Sequence, residues 1–369
     1  MNIAVGVCGI GKGHSTRQYE VCRLLQEHGH NVRILTYGEG HTFFANSSFH
    51  MYDVFVPMIT YKKGKLNLRD TVARNYKHFF SGMIKNAKVL FSMLHDGFVP
   101  DVCISDYEPT TAAFAYLLRK PLVTLDQQSK FIYMPNGLLD GFSCEEEKKR
   151  LSLFFPKAEK RIITSFYQLE NIQLPANVFI VPPIIRRDLL ALNIPVRKDS
   201  KIIVYFSSYL QNSILQPLCE VFQLFSKFPQ FEFIVFSDLY PQNRKTEYSN
   251  IIVRPIHRDD FISELSNASA VISTAGHTLI SEAIFCGIPY FAIPLGTYDQ
   301  HYCAKVIEEN KIGQSASKLT YDNLFEFLGQ LSIYSHNISK APSILSPDPL
   351  HDMNVILHHI ETLIPKSID

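Results

Sequence analysis

Two glycine-containing stretches hold the residue types that could do chemistry. The first is Gly9-Ile10-Gly11-Lys12-Gly13-His14-Ser15-Thr16-Arg17. Its three glycines let the backbone turn tightly and approach a ligand closely. The helix predicted to follow would aim its free N–H groups at that ligand. His14 adds a side chain that changes charge near neutral pH, so it is a candidate base or ligand contact; a loop histidine without a role is the plain alternative. Two familiar phosphate motifs fail here. Gly6 with Gly11-Lys12 nearly completes a P-loop, but Gly13 stands where a hydroxyl would hold magnesium. His14 likewise stands where a dinucleotide fingerprint wants its last glycine.

The second stretch runs from Ser273 to Gln300. Thr274-Ala275-Gly276-His277-Thr278 follows an apolar run, and Glu282 lies four residues beyond Thr278 on the same face of a predicted helix. The start of that helix suits an anion such as a diphosphate. A carboxylate one turn deeper can accept two hydrogen bonds from a ribose diol. A solvated helix carboxylate is the bland alternative for Glu282. Asp106 and Glu108, in Ile104–Pro109, supply two more candidates for a base. Asp106 could equally orient His14 as in a His–Asp pair, or cap the helix near Pro109.

Short β-branched runs alternating with amphipathic stretches must position these groups, a pattern of parallel sheets covered by helices. In the first half the strands are expected at Ile3–Val7, Val32–Thr36, Tyr52–Val56, Val102–Ser105, Leu122–Leu125, Ile162–Ser165 and Val178–Val181. Helices are expected at Ser15–His28 and Leu68–Leu94. The alternation restarts with strands at Ile202–Phe206, Phe231–Phe236, Ile251–Arg254, Ala270–Ser273 and Tyr290–Ile293. Helical stretches near 213–228, 258–267, 277–286, 299–310 and 321–332 lie between and after them. Val181-Pro182-Pro183 breaks the pattern. The expected organisation is therefore a first α/β domain over 1–182, a linker over 183–199, a second over 200–350, and a final helix within 351–369 that packs back on the first domain. Ligands in such folds collect at the carboxyl ends of strands.

The chain has 369 residues, 46% of them hydrophobic and 19% charged, which is enough for two cores. Its net charge of +1 names no polyanionic partner. No apolar run is long enough to span a bilayer, and Met1–Val7 lacks a basic leader. None of the seven cysteines forms a CxxC pair, and Cys8, Cys22, Cys103 and Cys286 sit in apolar segments. A cytoplasmic, reduced protein without structural metal is expected.

The segment Ser-Thr-Ala-Gly-His-Thr-Leu-Ile-Ser-Glu-Ala-(x3)-Gly-Ile-Pro-(x4)-Pro, followed by Tyr298-Asp299-Gln300, resembles the donor signature of GT-B glycosyltransferases. It is most similar to the MurG-like, family 28-like UDP-sugar transferases. The loop Gly-x-Gly-His-x-x-Arg and the opening of the second domain, Val204-Tyr205-Phe206-Ser207-Ser208, extend the resemblance over almost the whole chain. It implies two Rossmann-like domains facing a central cleft, and transfer of a hexose from a UDP-sugar to a hydroxyl acceptor. It further implies that Gly13, Ser207, Ser208, Gly276, His277 and Thr278 face the donor phosphates and Glu282 the ribose. Asp299 and Gln300 would meet the sugar, and the backbone near Ile256 the base, flanked by Phe261, with Arg186 a weaker phosphate contact. Retaining relatives carry a Glu eight positions before the ribose Glu; Thr274 stands there, which implies inversion.

Inversion needs a base, for which His14 is preferred over Asp106 and Glu108. The leaving charge can be met by helix N-termini and hydroxyls, so neither cofactor nor metal is expected. Rival readings are a UDP-GlcNAc 2-epimerase, whose motif Gly296–Gln300 does not match, an NAD-dependent oxidoreductase, and a silent sugar-nucleotide binder. The acceptor is read only coarsely. Between residues 61 and 94, Lys62, Lys63, Lys65, Arg69, Arg74, Lys77, Lys85 and Lys88 face a single acid, Asp70, with Phe79, Phe80, Met83, Ile84 and Phe91 interleaved. Such a helix can pack on a core with a solvated basic face, lie on the inner face of a membrane beside a lipid-linked acceptor, or engage another anionic acceptor.

Overall fold

A computed structural model describes residues 1–45, 47–58, 60–62, 65–169, 172–192, 200–205, 217–237, 246–341, 343–345 and 348–363. The chain divides into two units. The first comprises Met1–Ser165, Leu169–Ile184 and Asp348–Asp369; the second comprises Phe166–Gln168 and Ile185–Pro347.

The first unit is built on a seven-stranded parallel sheet: β1 (Asn2–Val7), β2 (Asn31–Thr36), β3 (His50–Asp53), β4 (Val102–Asp106), β5 (Leu122–Asp126), β6 (Lys160–Thr164) and β7 (Val178–Val181). Their spatial order is β7-β6-β5-β4-β1-β2-β3. The central strands β4 and β5 are buried along their whole length, as parallel strands covered on both faces must be. Strand β3 begins two residues earlier than Tyr52 and stops at Asp53. The helices named below are α1 (Lys12–Glu27), α2 (Leu68–His95), α3 (Pro109–Leu118) and α4 (Cys144–Phe154). Helices α3 and α4 fall outside the periodicity used above. Two short hairpins, Tyr61–Lys62 with Lys65–Leu66 and Leu138–Leu139 with Phe142–Ser143, complete the strands.

The last helix, Pro349–Glu361, places Ile356, Leu357 and Ile360 in the same core as Ile3, Val21 and Leu25. His359 stacks on Phe179 with ring centroids 3.8 Å apart, and Lys160 Nζ donates to its carbonyl. Burial of three large aliphatic side chains stabilises that docking by several kcal/mol, at about 1.5–3 kcal/mol each.

The second unit holds a six-stranded parallel sheet: β8 (Lys201–Tyr205), β9 (Glu232–Phe236), β10 (Ile251–Arg254), β11 (Ala270–Thr274), β12 (Tyr290–Ile293) and β13 (Gly313–Ser315). Their order is β10-β9-β8-β11-β12-β13. Strand β13 is only three residues long and too polar to announce itself in the pattern. The helices α5 (Arg258–Ser266), α6 (His277–Phe285) and α7 (Tyr298–Glu309) follow β10, β11 and β12. The stretch Phe166–Gln168 is tied to this unit by Leu345 N–H donating to Phe166 O at 2.9 Å and Gln168 N–H donating to Ser343 O at 2.7 Å. Residues 193–199 of the expected linker lie outside the described residues.

Both sheets are Rossmann-like, running outward in opposite directions from a central pair. That pair is β1 and β4 in the first unit, with Val7 beside Asp106, and β8 and β11 in the second, with Tyr205 beside Ser273. The strand order reverses there, and the two departing chains leave a crevice at the carboxyl ends.

Candidate active site

In the first unit the crevice between β1 and β4 is furnished by the glycine loop. A Cβ on Gly9 would lie 1.7 Å from the Tyr37 carbonyl oxygen, so only glycine lets the loop pass. Gly11 takes φ of 69° and caps α1 without a side-chain hydrogen bond. Gly13 and His14 therefore fall in the first helical turn. His14 directs Nδ1 to Asp106 Oδ1 at 2.8 Å and keeps 14% of its side chain exposed.

Asp106 is completely buried. Its carboxylate accepts Arg17 Nε at 2.7 Å, Arg17 Nη2 at 2.5 Å and Gln18 Nε2 at 3.0 Å. Burial works against its charge, yet the Arg17 guanidinium and then His14 hold its pKa at about 2. Arg17 Nη2 also lies 2.7 Å from His14 Nδ1. Behind them, burial first and the Asp106 charge next push Asp126 up to about 6, against the bonds from Ser129. An Nδ1–H donated to the carboxylate would leave a lone pair on Nε2, the arrangement a general base needs, while Arg17 Nη2, which can only donate, competes for the lone pair on Nδ1.

Glu108 does something different from the role expected of it. Its Oε1 accepts Thr110 N–H and its Oε2 accepts Thr111 N–H, both at 2.7 Å, which makes it the N-cap of α3. It is fully buried, and burial raises its pKa. Both oxygens are committed to the helix, so Glu108 is corrected from a candidate base to a cap, and Asp106 is not the cap. Tyr107, with φ of 58°, stacks over His14 at 6.3 Å and donates its hydroxyl to Glu147. Arg17, Gln18 and Tyr107 carried no role in the sequence reading. The spacing of Arg17 and Gln18 three and four residues past His14 is the signal that could have found them.

In the second unit the chain leaves β11 through a tight turn, Gly276 N–H donating to Thr274 O at 2.7 Å. Tyr290 Oη holds the same carbonyl at 2.7 Å, and Ser273 Oγ donates to Tyr205 O. Gly276 caps α6 with no side-chain bond. A Cβ there would meet nothing closer than 4.0 Å, so the protein's own packing does not demand glycine. The His277 imidazole is buried against Phe166, ring centroids 5.0 Å apart. What His277 offers an anion at this helix end is its backbone N–H. Thr278 is half-buried beside it.

Glu282, one turn deeper, is not a solvated carboxylate. It is buried, and its Oε1 lies 3.3 Å from Arg186 Nε. Arg186 also lies 3.5 Å from Asp188 and sits over the Phe261 ring at 6.0 Å. Phe261 itself packs on Tyr205 and Phe236. Gln300, in the first turn of α7, uses Oε1 to accept Leu295 N–H at 2.8 Å, while the half-buried Asp299 has Cys303 Sγ at 4.0 Å. Ile256 is half-buried in the loop after β10. Ser207 and Ser208 lie outside the described residues.

Known proteins share this architecture. The profile described as glycosyl transferase family 1 matches residues 1–332. An uncharacterized glycosyltransferase of Methanosarcina acetivorans is 23% identical over 336 residues, covering 87% of this chain and 86% of the relative. One from Methanosarcina mazei is 24% identical over 335 residues with the same coverage. Among solved structures, the glycotransferase of kitacinnamycin superposes with a TM-score of 0.69 at 15% identity, over 99% of both chains. Acinetobacter baumannii MurG does so with a TM-score of 0.60 at 15% identity, over 97% of this chain and 100% of its own. The spinosyn rhamnosyltransferase SpnG, solved with thymidine diphosphate, gives 0.67 at 14% identity, over 98% and 100%. On the match to residues 1–332, the chain belongs to glycosyl transferase family 1, with the GT-B fold, and is a glycosyltransferase.

Proposed function

We propose that this glycosyltransferase moves a hexose from a UDP-sugar to a hydroxyl acceptor with inversion, using no cofactor and no metal. The observation that carries this reading is the open, glycine-capped start of α6, with Glu282 held one turn behind it. An amide-rich helix end accommodates a diphosphate and needs no side chain to do so. The Glu282 carboxylate, fixed by Arg186, is preorganised to accept hydrogen bonds from ribose hydroxyls. Asp299 and Gln300, in the first turn of α7, are assigned to the sugar, and the backbone at Ile256 to the base.

In the first unit His14 takes the acceptor proton on Nε2, while Asp106 stabilises the imidazolium that forms. The acceptor oxygen bonds to the anomeric carbon as the bond to the nucleoside diphosphate breaks on the opposite face, so the configuration inverts. The leaving negative charge is met by the N-terminus of α6 and the Thr278 hydroxyl, which is why no metal is invoked. SpnG solved with thymidine diphosphate supports a nucleoside diphosphate donor in general; UDP is chosen on the resemblance of Ser273–Gln300.

The acceptor is assigned to a membrane-borne or other anionic molecule through α2, on the cytoplasmic face. That helix buries Asn75, Asn86, Leu90 and Met93, and exposes a stripe of Val72, Tyr76, Phe80, Ile84 and Phe91. Lys77 and Lys88 flank the stripe, as does Lys85, which pairs with Asp53 at 2.5 Å. A basic-edged apolar face suits an anionic lipid surface.

Calorimetric titration of UDP, TDP, GDP, ADP and NAD into the protein tests the donor. UDP binding that weakens in Glu282→Gln is the expected result, and turnover should be insensitive to EDTA. Tight binding of NAD with none of UDP would refute the reading.

A further inference from the structure

The first unit carries a second concave site, at the opposite ends of its strands. A cavity of about 780 Å³ opens where β5 and β6 begin and where α3 and α4 end. Small-molecule sites run to roughly 300–1,000 Å³. Arg119, Lys120, Lys157 and Arg161 line the cavity with one carboxylate, Glu159, a net of three positive charges. Among the described residues none of these four cations has a carboxylate within 4.0 Å, although Arg161 stands close enough to the buried Asp126 to pull its pKa down. Helix ends and the Asp126 charge behind Arg161 account for only part of that excess. Each carboxyl end carries about half a negative charge, so α3 and α4 together offset about one of the three, and the cavity stays positive.

Arg161 is the anchor. It is 7% exposed, its Nη2 donates to Phe155 O at 2.6 Å, and its buried Nη1 has no hydrogen-bond partner among the described residues. A buried guanidinium nitrogen left without an acceptor is costly, and a phosphate oxygen is an acceptor that suits its planar fork. Tyr116, Tyr133 and Ile132 give the cavity an aromatic and apolar wall. The Tyr116 hydroxyl is already used, donating to Lys157 O at 2.7 Å. Burial raises the Tyr133 phenol above its ordinary value, against the charge of the Arg161 guanidinium beside it and a hydrogen bond from that group; Nη1 is the nitrogen left over.

We propose that this cavity binds a small organic phosphate monoester, its dianionic head held by Arg161, Arg119 and Lys157 and its apolar body lying against Tyr116 and Tyr133. None of these residues belongs to the transferase machinery assigned above, so this is a separate ligand site. Phenyl phosphate titrated calorimetrically into the full chain is expected to bind saturably, and inorganic phosphate more weakly because it lacks the body. Arg119 and Lys157 are exposed, so the Arg119→Ala/Lys157→Ala double variant should fold. It should bind phenyl phosphate roughly ten-fold or more weakly, since charge-assisted bonds to the phosphate are lost. Arg161→Gln should lose the binding. Unchanged phenyl phosphate affinity in the exposed double variant would overturn the proposal. So would attachment to phosphatidic acid vesicles with no binding of phenyl phosphate. The readout is direct binding, so a failure of UDP to bind would count against the donor assignment and leave this site standing.

Discussion

His14 Nδ1 lies 2.8 Å from Asp106 Oδ1, and the same carboxylate is clamped by Arg17 through both Nε and Nη2. The histidine that can reach solvent thus leans on a buried, fully satisfied ion pair. Its orientation is set by groups that never need to move. His14→Ala should leave UDP affinity unchanged and lower transfer by about 10²–10⁴-fold, the usual contribution of a positioned base. Single-turnover kinetics at saturating donor would show it, and unimpaired transfer would return the role to Asp106.

Removing Asp106 should have a second consequence. Asp106→Asn leaves the Arg17 guanidinium buried without its counter-charge, and breaking such a pair costs about 3–5 kcal/mol. Urea unfolding should report that loss, whereas His14→Ala should stay close to the parent.

Acid and base should act oppositely on this cluster. Asp106 has its pKa lowered to about 2, so its stabilisation is present above about pH 4 and fades as pH falls toward 2. Asp126 has its pKa raised to about 6, so the folded state holds a proton that the unfolded state has released. Its contribution is intact below about pH 4 and is lost as pH rises through 6. Asp126→Asn should therefore raise stability by ~2–3 kcal/mol at pH 8 and change little at pH 4. Melting curves at the two pH values decide it; equal effects at both would contradict the assignment.

Arg186 and Glu282 should behave as one unit. Glu282→Gln and Arg186→Met should each lower stability, and the double variant should cost less than the two single losses added. UDP affinity should fall whenever Glu282 is changed. Strict additivity in urea unfolding would dissolve the pair.

Gly276→Ala offers a cleaner separation of binding from folding. The residue has φ of −80° and open space where a Cβ would stand, so stability should change by no more than about 1 kcal/mol. If a diphosphate approaches this backbone, UDP affinity should fall by roughly ten-fold or more, at 1.4 kcal/mol per ten-fold. An alanine variant that binds UDP normally would remove the helix start from the donor site.

The outer face of α2 can be tested without disturbing the core. Phe80 and Phe91 are 79% and 71% exposed, so Phe80→Asp/Phe91→Asp should melt like the parent while losing co-sedimentation with phosphatidylglycerol vesicles. Equal sedimentation of both proteins would leave the stripe without a membrane role.

Much of this was legible in the chain's local patterns. Apolar runs such as Val102–Ser105 and Ala270–Ser273 mark buried parallel strands, and the glycines that follow Val7 and Thr274 mark the turns that expose helix ends. Less was legible where pattern is weak or a partner is distant. Pro109–Leu118 is too uniformly apolar to show a helical face, and Gly313–Ser315 too short and polar to show a strand.

The sequence by itself determined which segments become strands and helices, and therefore which side chains stand near strand ends, because hydrophobic period and glycine placement are local properties. It could not decide what those side chains touch. Asp106 and Glu108 are two residues apart and chemically alike, yet packing turned one toward His14 and Arg17 and the other into the cap of α3. Nothing local in the chain marks Arg186 as the partner of Glu282; folding brings the two together. The cap at Glu108 is local, but the pairings of Asp106 and Glu282 are not: charge partners far apart in the chain meet only where the fold brings their strands and helices together.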